Sequence, residues 1–113
     1  MNTNPWTTEF PGSIIVCDKD GVILEMNAVA AKNYAADGGL KLLGTNLLDC
    51  HPDPARAKVE ALIQNKTRNI YTIAKNGVKK LIYQSPWYQA GQYAGFVEFS
   101  LEIPEEMPHF IRS

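Results

Sequence analysis

The sequence predicts an α+β fold, a five-stranded antiparallel sheet with helices packed on one face. Three observations carry the prediction. A β-branched run, Ser13–Asp18, is followed after Lys19-Asp20-Gly21 by a second, Val22–Met26. A helical stripe then spans Asp53–Lys66. Three further strand-type runs begin near Asn69, Val78 and Tyr93. This order suits one sheet with the helices laid against it.

Composition narrows the function classes. At 113 residues there is room for one core. Hydrophobic residues at 45% and charged residues at 20% are ordinary globular values. A net charge of −1 gives no electrostatic footprint for nucleic acid or an anionic membrane. No apolar run approaches the length of a membrane span, and Met1-Asn2-Thr3-Asn4 lacks the regions of a signal peptide. Cys17 and Cys50 are too few for a disulfide framework, so a reducing cytoplasm is the expected location.

Each element has a local reason. Residues 1–12 place Trp6, Phe10 and Pro11 among polar neighbours and read as a short helix or arm that needs a partner surface. In the first hairpin Ile14-Ile15-Val16-Cys17 runs out, Asp20-Gly21 turns, and Val22-Ile23-Leu24 returns. Its apolar residues are continuous, which predicts cover on both faces. Asn27 fits a helix N-cap before the small residues Ala28 to Ala31, and Asp37-Gly38-Gly39 stops that helix. The long helix reads as Asp53 at the N-cap and Pro54 at the first turn. Ala55, Val59, Leu62 and Ile63 form its apolar stripe, and Lys66 its C-terminal end. Asn76-Gly77 is a strong hairpin signal, and Ala90-Gly91-Gln92 turns the chain into the last strand. On that strand Val97, Phe99, Leu101 and Ile103 share one face, read as the core face. Phe96, Glu98, Ser100 and Glu102 share the other, read as the outward one. Pro104 ends the strand, leaving 13–103 as the domain and 104–113 as a tail.

With these stretches in place the chain resembles a PAS domain from Phe10 to Ile103. The resemblance rests on Pro11-Gly12-Ser13-Ile14-Ile15-Val16-Cys17-Asp18 with Asp20-Gly21, on Asn27-Ala28, and on Leu43-Gly44-Thr45-Asn46-Leu47-Leu48-Asp49. It continues through Lys75-Asn76-Gly77-Val78 and Tyr93-Ala94-Gly95-Phe96-Val97. Asp49-Cys50-His51-Pro52 and the ending Ile103-Pro104-Glu105-Glu106-Met107-Pro108-His109-Phe110 are similar to small bacterial proteins made of a single such domain. The resemblance implies strand order 2-1-5-4-3 and a sensory or protein-interaction role with no enzymatic activity. It also implies homodimerisation through the sheet and the N-terminal cap. Trp6, Phe10, Phe96, Glu98 and Ser100 are then the expected interface.

Family cofactors each need their own residues. Light-sensing flavin members carry Gly-x-Asn-Cys, but Leu47 follows Gly44-Thr45-Asn46 here, which argues against a photoactive flavin. Coumaroyl-binding members use a Tyr before the helix-opening Asn and a Glu four residues after that Tyr; these positions are Met26 and Ala30. Haem-binding members supply a proximal His near the long helix, so His51 keeps haem open as an alternative. The resemblance names no ligand.

Other constellations read as structure. Cys50-His51 cannot aim both side chains at one metal, and Cys50 reads as a small buried hydrophobe. Asp18-Lys19-Asp20-Gly21 lacks the later oxygen ligands of a calcium loop. The aromatics Tyr71, Tyr83, Trp87 and Tyr88 read as core or pocket wall. No metal site is expected. Glu102-Ile103-Pro104 replaces the family's usual junction to a signalling helix, and Pro108 follows, so the expected sensor acts in trans on another protein. The expected pocket wall is Met26, Val29, Tyr34, Leu47, Leu48, Val59, Ile63, Tyr71, Tyr83 and Val97. A filled pocket would instead make the chain a ligand-free homodimerisation module.

Overall fold

The computed structural model describes residues 4–113; Met1 to Thr3 of the predicted arm lie outside them. The elements are α1 (Pro5–Thr8), β1 (Ser13–Asp18), β2 (Ile23–Met26), α2 (Ala28–Asn33), α3 (Ala55–Asn65), β3 (Asn69–Lys75), β4 (Val78–Gln89) and β5 (Gln92–Ile103). Three single-turn 3₁₀ segments, Ala35–Asp37, Gly39–Leu42 and Leu47–Cys50, fill the stretch between α2 and α3. The described strands form one five-stranded sheet in order β2-β1-β5-β4-β3, every neighbouring pair antiparallel. The fold class and strand order are those expected.

Short polar side chains set the turns. Asp18 Oδ1 accepts from the N–H groups of Asp20 and Val22, both at 2.9 Å, which tightens the first hairpin. Asn76 and Gly77 have φ of 53° and 77°, the paired left-handed geometry of a two-residue hairpin turn. Asn27 caps α2 as expected, its Oδ1 accepting from Ala30 N–H at 3.0 Å.

Two expectations about the long helix are corrected. It begins at Ala55, and Pro54, not Asp53, occupies the N-cap with no side-chain capping bond. Pro54 carries no N–H, and its φ of −83° and ψ of −6° fall short of regular helix angles, so the helix starts one residue later than expected. At the other end Lys66 closes the helix in the left-handed region, φ 54°. Of the first hairpin, β1 is buried along most of its length, but Leu24 on β2 is 51% exposed, so both-face cover holds for β1 alone.

Register decides which face meets the helices. Glu98 pairs with Ile15 and Gln84, Phe96 with Cys17 and Pro86, and Ser100 with Ser13 and Ile82. Phe96 packs with Cys17 and with Ile63 of α3. The set containing Phe96, Glu98 and Ser100 therefore faces the helices, and the outward reading of those three residues is corrected. Val97, Phe99 and Leu101 alternate onto the opposite face. There the N-terminal arm covers part of the strand: a Cβ on Gly12 would lie 2.5 Å from Leu101 Cδ2 and 2.8 Å from Phe10 Cε2. A side chain at Gly12 would have to displace Phe10 and Leu101. Val97, Phe99, Leu101 and Ile103, predicted to meet the helices, are half-buried on the opposite face, and Leu101 lies beside the arm.

Candidate functional site

The helix side of the sheet carries a groove. A cavity of about 50 Å³ sits deepest, bordered by Ile15, Cys17, Leu47, Leu62, Ile63 and Phe96 with Tyr34, His51, Val59, Gln84, Val97 and Glu98. Its size suits water rather than a cofactor. It continues outward into a groove of about 810 Å³ between α2 and α3 on one side and the inner faces of β3, β4 and β5 on the other. That volume lies in the range of small-molecule sites, about 300–1,000 Å³.

Contacts at both ends hold α3 over the groove, Arg56 pairing with Asp49 in its first turn. Near its C-terminus, Ile63 enters the cluster with Cys17 and Phe96, and Tyr93 Oη donates to the Ile63 carbonyl at 3.1 Å. The Lys66 ammonium lies 4.9 Å from the Tyr93 ring centroid. Ala55, Lys58 and Val59 toward the other end face the groove. Opposite them, Tyr71 and Ile73 of β3 are 42% and 38% exposed.

A row of polar side chains crosses the floor. Asn69, Gln84 and Glu98 are cross-strand neighbours on β3, β4 and β5. Asn69 Nδ2 donates to Gln84 Oε1 at 2.9 Å, and Gln84 Nε2 donates to Glu98 Oε2 at 2.6 Å. On the helical wall, burial and then the Glu98 carboxylate push the Tyr34 phenol up to about 12. His51 Nδ1 lies 2.8 Å from the Leu47 carbonyl. A carbonyl can only accept, so Nδ1 carries the proton and, in the neutral ring, Nε2 keeps its lone pair.

The predicted wall residues separate. Tyr34, Leu47, Val59, Ile63 and Val97 border the cavity, and Val29 and Tyr71 the groove. Met26 lies instead in the core with Ile15, Ile23 and Ala30. Leu48 borders neither space. Tyr83 pairs with Phe99 and so takes the outer face, where Arg68 donates to its hydroxyl at 3.3 Å. The row Asn69–Gln84–Glu98 was not predicted as part of a pocket. Among the expected interface residues, Trp6 is 66% exposed and meets the half-buried Phe10 edge-on, ring centroids 6.4 Å apart. Arg56 pairs with Asp49 and Glu60, and Lys79 donates to the Glu105 carbonyl.

Two thiols and two histidines give little chemistry. Burial raises the pKa of Cys17, and burial followed by the Asp37 and Asp49 carboxylates raises that of Cys50, so neither is an activated nucleophile. Among the described residues no group of three or more His, Cys, Asp or Glu is arranged to hold a metal ion. No described helix is long and apolar enough to cross a membrane.

No protein-family model and no curated protein matches this sequence. Solved structures do. The Aer2 receptor of Vibrio cholerae, described as a dual PAS-haem oxygen sensor, superposes with a TM-score of 0.64 at 18% identity, covering 82% of this chain and 95% of that one. The PAS domain of an HTR-like protein from Haloarcula marismortui gives 0.60 at 17%, covering 87% and 86%. The PAS domain of the histidine kinase ThkA gives 0.61 at 25%, covering 80% and 98%. By its likeness to these structures this chain has the PAS fold.

Proposed function

We propose that this chain is a sensory module that binds a small molecule in the helix–sheet groove and reports occupancy to another protein by direct contact. The observation that carries the reading is the continuous groove between α3 and the sheet, with an apolar inner end and a polar floor. A ligand there would shift α3 against β3, and a packing change of that kind is what a partner can read. The proposed role is non-enzymatic, in keeping with two thiols that burial leaves protonated. The partner contact is proposed at the N-terminal arm, where Trp6 stays exposed beside Phe10; a second copy of the chain is the first candidate.

Native mass spectrometry of the freshly purified protein tests the reading. A retained small molecule, lost when Val59→Trp fills the groove, is the expected result. Protein that carries nothing and is unaltered by that substitution would leave only the dimerisation role.

A second reading is favoured by His51. Its Nδ1–H bond to Leu47 fixes the ring with Nε2 free beside the groove, the arrangement an axial iron ligand needs. The inner cavity is too small for a macrocycle, so haem would have to occupy the outer groove. An absorption spectrum decides: a Soret band that His51→Ala abolishes supports haem, and its absence after growth with added haem removes it.

A further inference from the structure

The polar row on the groove floor has a direction, and the direction selects a ligand. Asn69 donates to Gln84 and Gln84 donates to Glu98, so each amide turns its donor toward β5 and the row ends on a carboxylate. A carboxylate only accepts. Glu98 is half-buried, and Gln84 is its one bonded partner among the described residues; no lysine or arginine there forms an ion pair with it. A carboxylate withdrawn from water without a cation is costly, and beside Ile15, Ile82 and Phe96 on the same sheet face an apolar residue would pack at less cost. On the facing wall, His51 turns Nδ1 to the Leu47 carbonyl and leaves Nε2 toward the groove, and Tyr34 contributes a phenol that stays protonated at physiological pH.

We infer that the groove recognises a small molecule through N–H donors, an amine, amidine or amino-substituted heterocycle, whose donor end sits between Glu98 and His51. This rests on the groove being a ligand site and names the class of its ligand. Carboxylates and phosphates are rejected at the floor by Glu98. Lys32, Lys58, Lys75 and Lys80 line the same groove and would favour an anion, so the prediction is a sharp one: Glu98 outweighs Lys32, Lys58 and Lys75 because those three are exposed, and Lys80 stands opposite Glu102, its cross-strand neighbour.

Three shape-matched probes test it at up to millimolar concentration: benzamidine (cationic), benzamide (neutral) and benzoate (anionic). Binding is followed by amide chemical-shift changes in NMR spectra of the whole chain. The expected order is benzamidine first, benzamide next and benzoate weakest, with shifts at Glu98, Gln84 and His51. Glu98→Gln, close to isosteric, should cost benzamidine at least tenfold in affinity and leave benzamide within about threefold. Benzoate binding the wild-type groove as tightly as benzamidine would overturn the inference while leaving the groove a ligand site. So would an unchanged benzamidine affinity in Glu98→Gln. Failure of all three probes to shift any groove residue would overturn both. The wild-type comparison needs no variant, so it decides even if Glu98→Gln fails to fold.

Discussion

Asn27 holds three elements together, and removing it should cost more than any other single polar truncation in the chain. It is 2% exposed. Its Oδ1 accepts from Ile14 N–H and Ala30 N–H, both at 3.0 Å; its Nδ2 donates to the carbonyls of Gly12 at 2.7 Å and Phe10 at 3.4 Å. One side chain therefore caps α2, completes the start of β1 and pins the arm. Asn27→Ala strips a partner from two N–H groups and two carbonyls. A buried group left unpaired costs about 1–3 kcal/mol, and loss of a cap about 0.5–2 kcal/mol. Counting Ile14 N–H and Gly12 C=O as buried, and Ala30 N–H as a cap that water can partly replace, gives a loss of about 3–4 kcal/mol. Against a domain stability of about 5–15 kcal/mol that is a large fraction.

Urea unfolding followed by far-UV circular dichroism measures it. At a slope of about 1.5 kcal/mol per molar, the midpoint should fall by about 2 M. Asn27→Ser supplies a capping oxygen for Ala30 N–H but cannot also reach Ile14 and Gly12, so it should recover about 1 kcal/mol and no more. A loss under about 1 kcal/mol for Asn27→Ala, or full recovery in Asn27→Ser, would refute the view that the arm and β1 depend on this residue.

Gly95→Ala should fail to fold: φ is +148°, and a Cβ would lie 2.0 Å from the Cys17 carbonyl oxygen, which sits in the neighbouring strand; loss of soluble, cooperatively unfolding protein checks this. Tyr93→Phe removes the hydroxyl bond to Ile63 at the tethered end of α3 and should cost about 1 kcal/mol, with faster amide hydrogen exchange confined mainly to α3. A thiol reagent at pH 8 should modify half-buried Cys50 well before Cys17, which is 2% exposed and should react only on unfolding. Tyr34 has a folded pKa of about 12 against an ordinary value of 10.0. The stability this contributes is complete below pH 10 and is lost as pH rises toward 12, so Tyr34→Phe should flatten the alkaline unfolding profile in that window.

The parts of the fold legible in the sequence are those set by local chemistry. Asp20-Gly21, Asn76-Gly77 and the Asn27 cap each act on backbone within a few residues of themselves, and each lies where expected. The face of β5 was not legible, and the reason is a single bulge. Counting outward from Ala90-Gly91 pairs Gln89 with Gln92 and Tyr88 with Tyr93, which would set Gln84 opposite Val97. The register shifts between Trp87 and Tyr88, so Gln84 meets Glu98 instead. One residue of slip exchanges the two faces of a strand. The slip turns the groove floor from an apolar row into the polar row Asn69–Gln84–Glu98. Both faces of β5 carry aromatic residues, so hydrophobicity alone could not decide between them. The β3–β4 half of the row was available: the two-residue turn at Asn76-Gly77 sets Asn69 opposite Gln84 by counting alone. Tyr83, one residue from Gln84, was placed in the pocket and faces the other way for the same reason.

The bulge also separates what the two faces can do. Outward, Phe10 of the arm packs against Leu101 beside Gly12, so anything that moves the arm must move along β5. Inward, the same strand presents Glu98 to the groove, between β1, which carries the arm, and β4, which carries Gln84. The arm is reached from the helical wall too. Asn27 bonds to Phe10 and Gly12 and caps α2, and α2 ends on Tyr34 in the cavity lining. Two short paths of hydrogen bonds and packing thus join the groove to the arm, one through β5 and one through α2. A ligand that shifts Tyr34 against Glu98 loads both paths together, whereas a change confined to the outer rim at Ile73 or Lys75 loads neither. An effect on Trp6 fluorescence from groove occupancy, weakened by Asn27→Ser more than by Tyr93→Phe, is the signature that the α2 path carries the signal; equal weakening would assign it to the tether of α3.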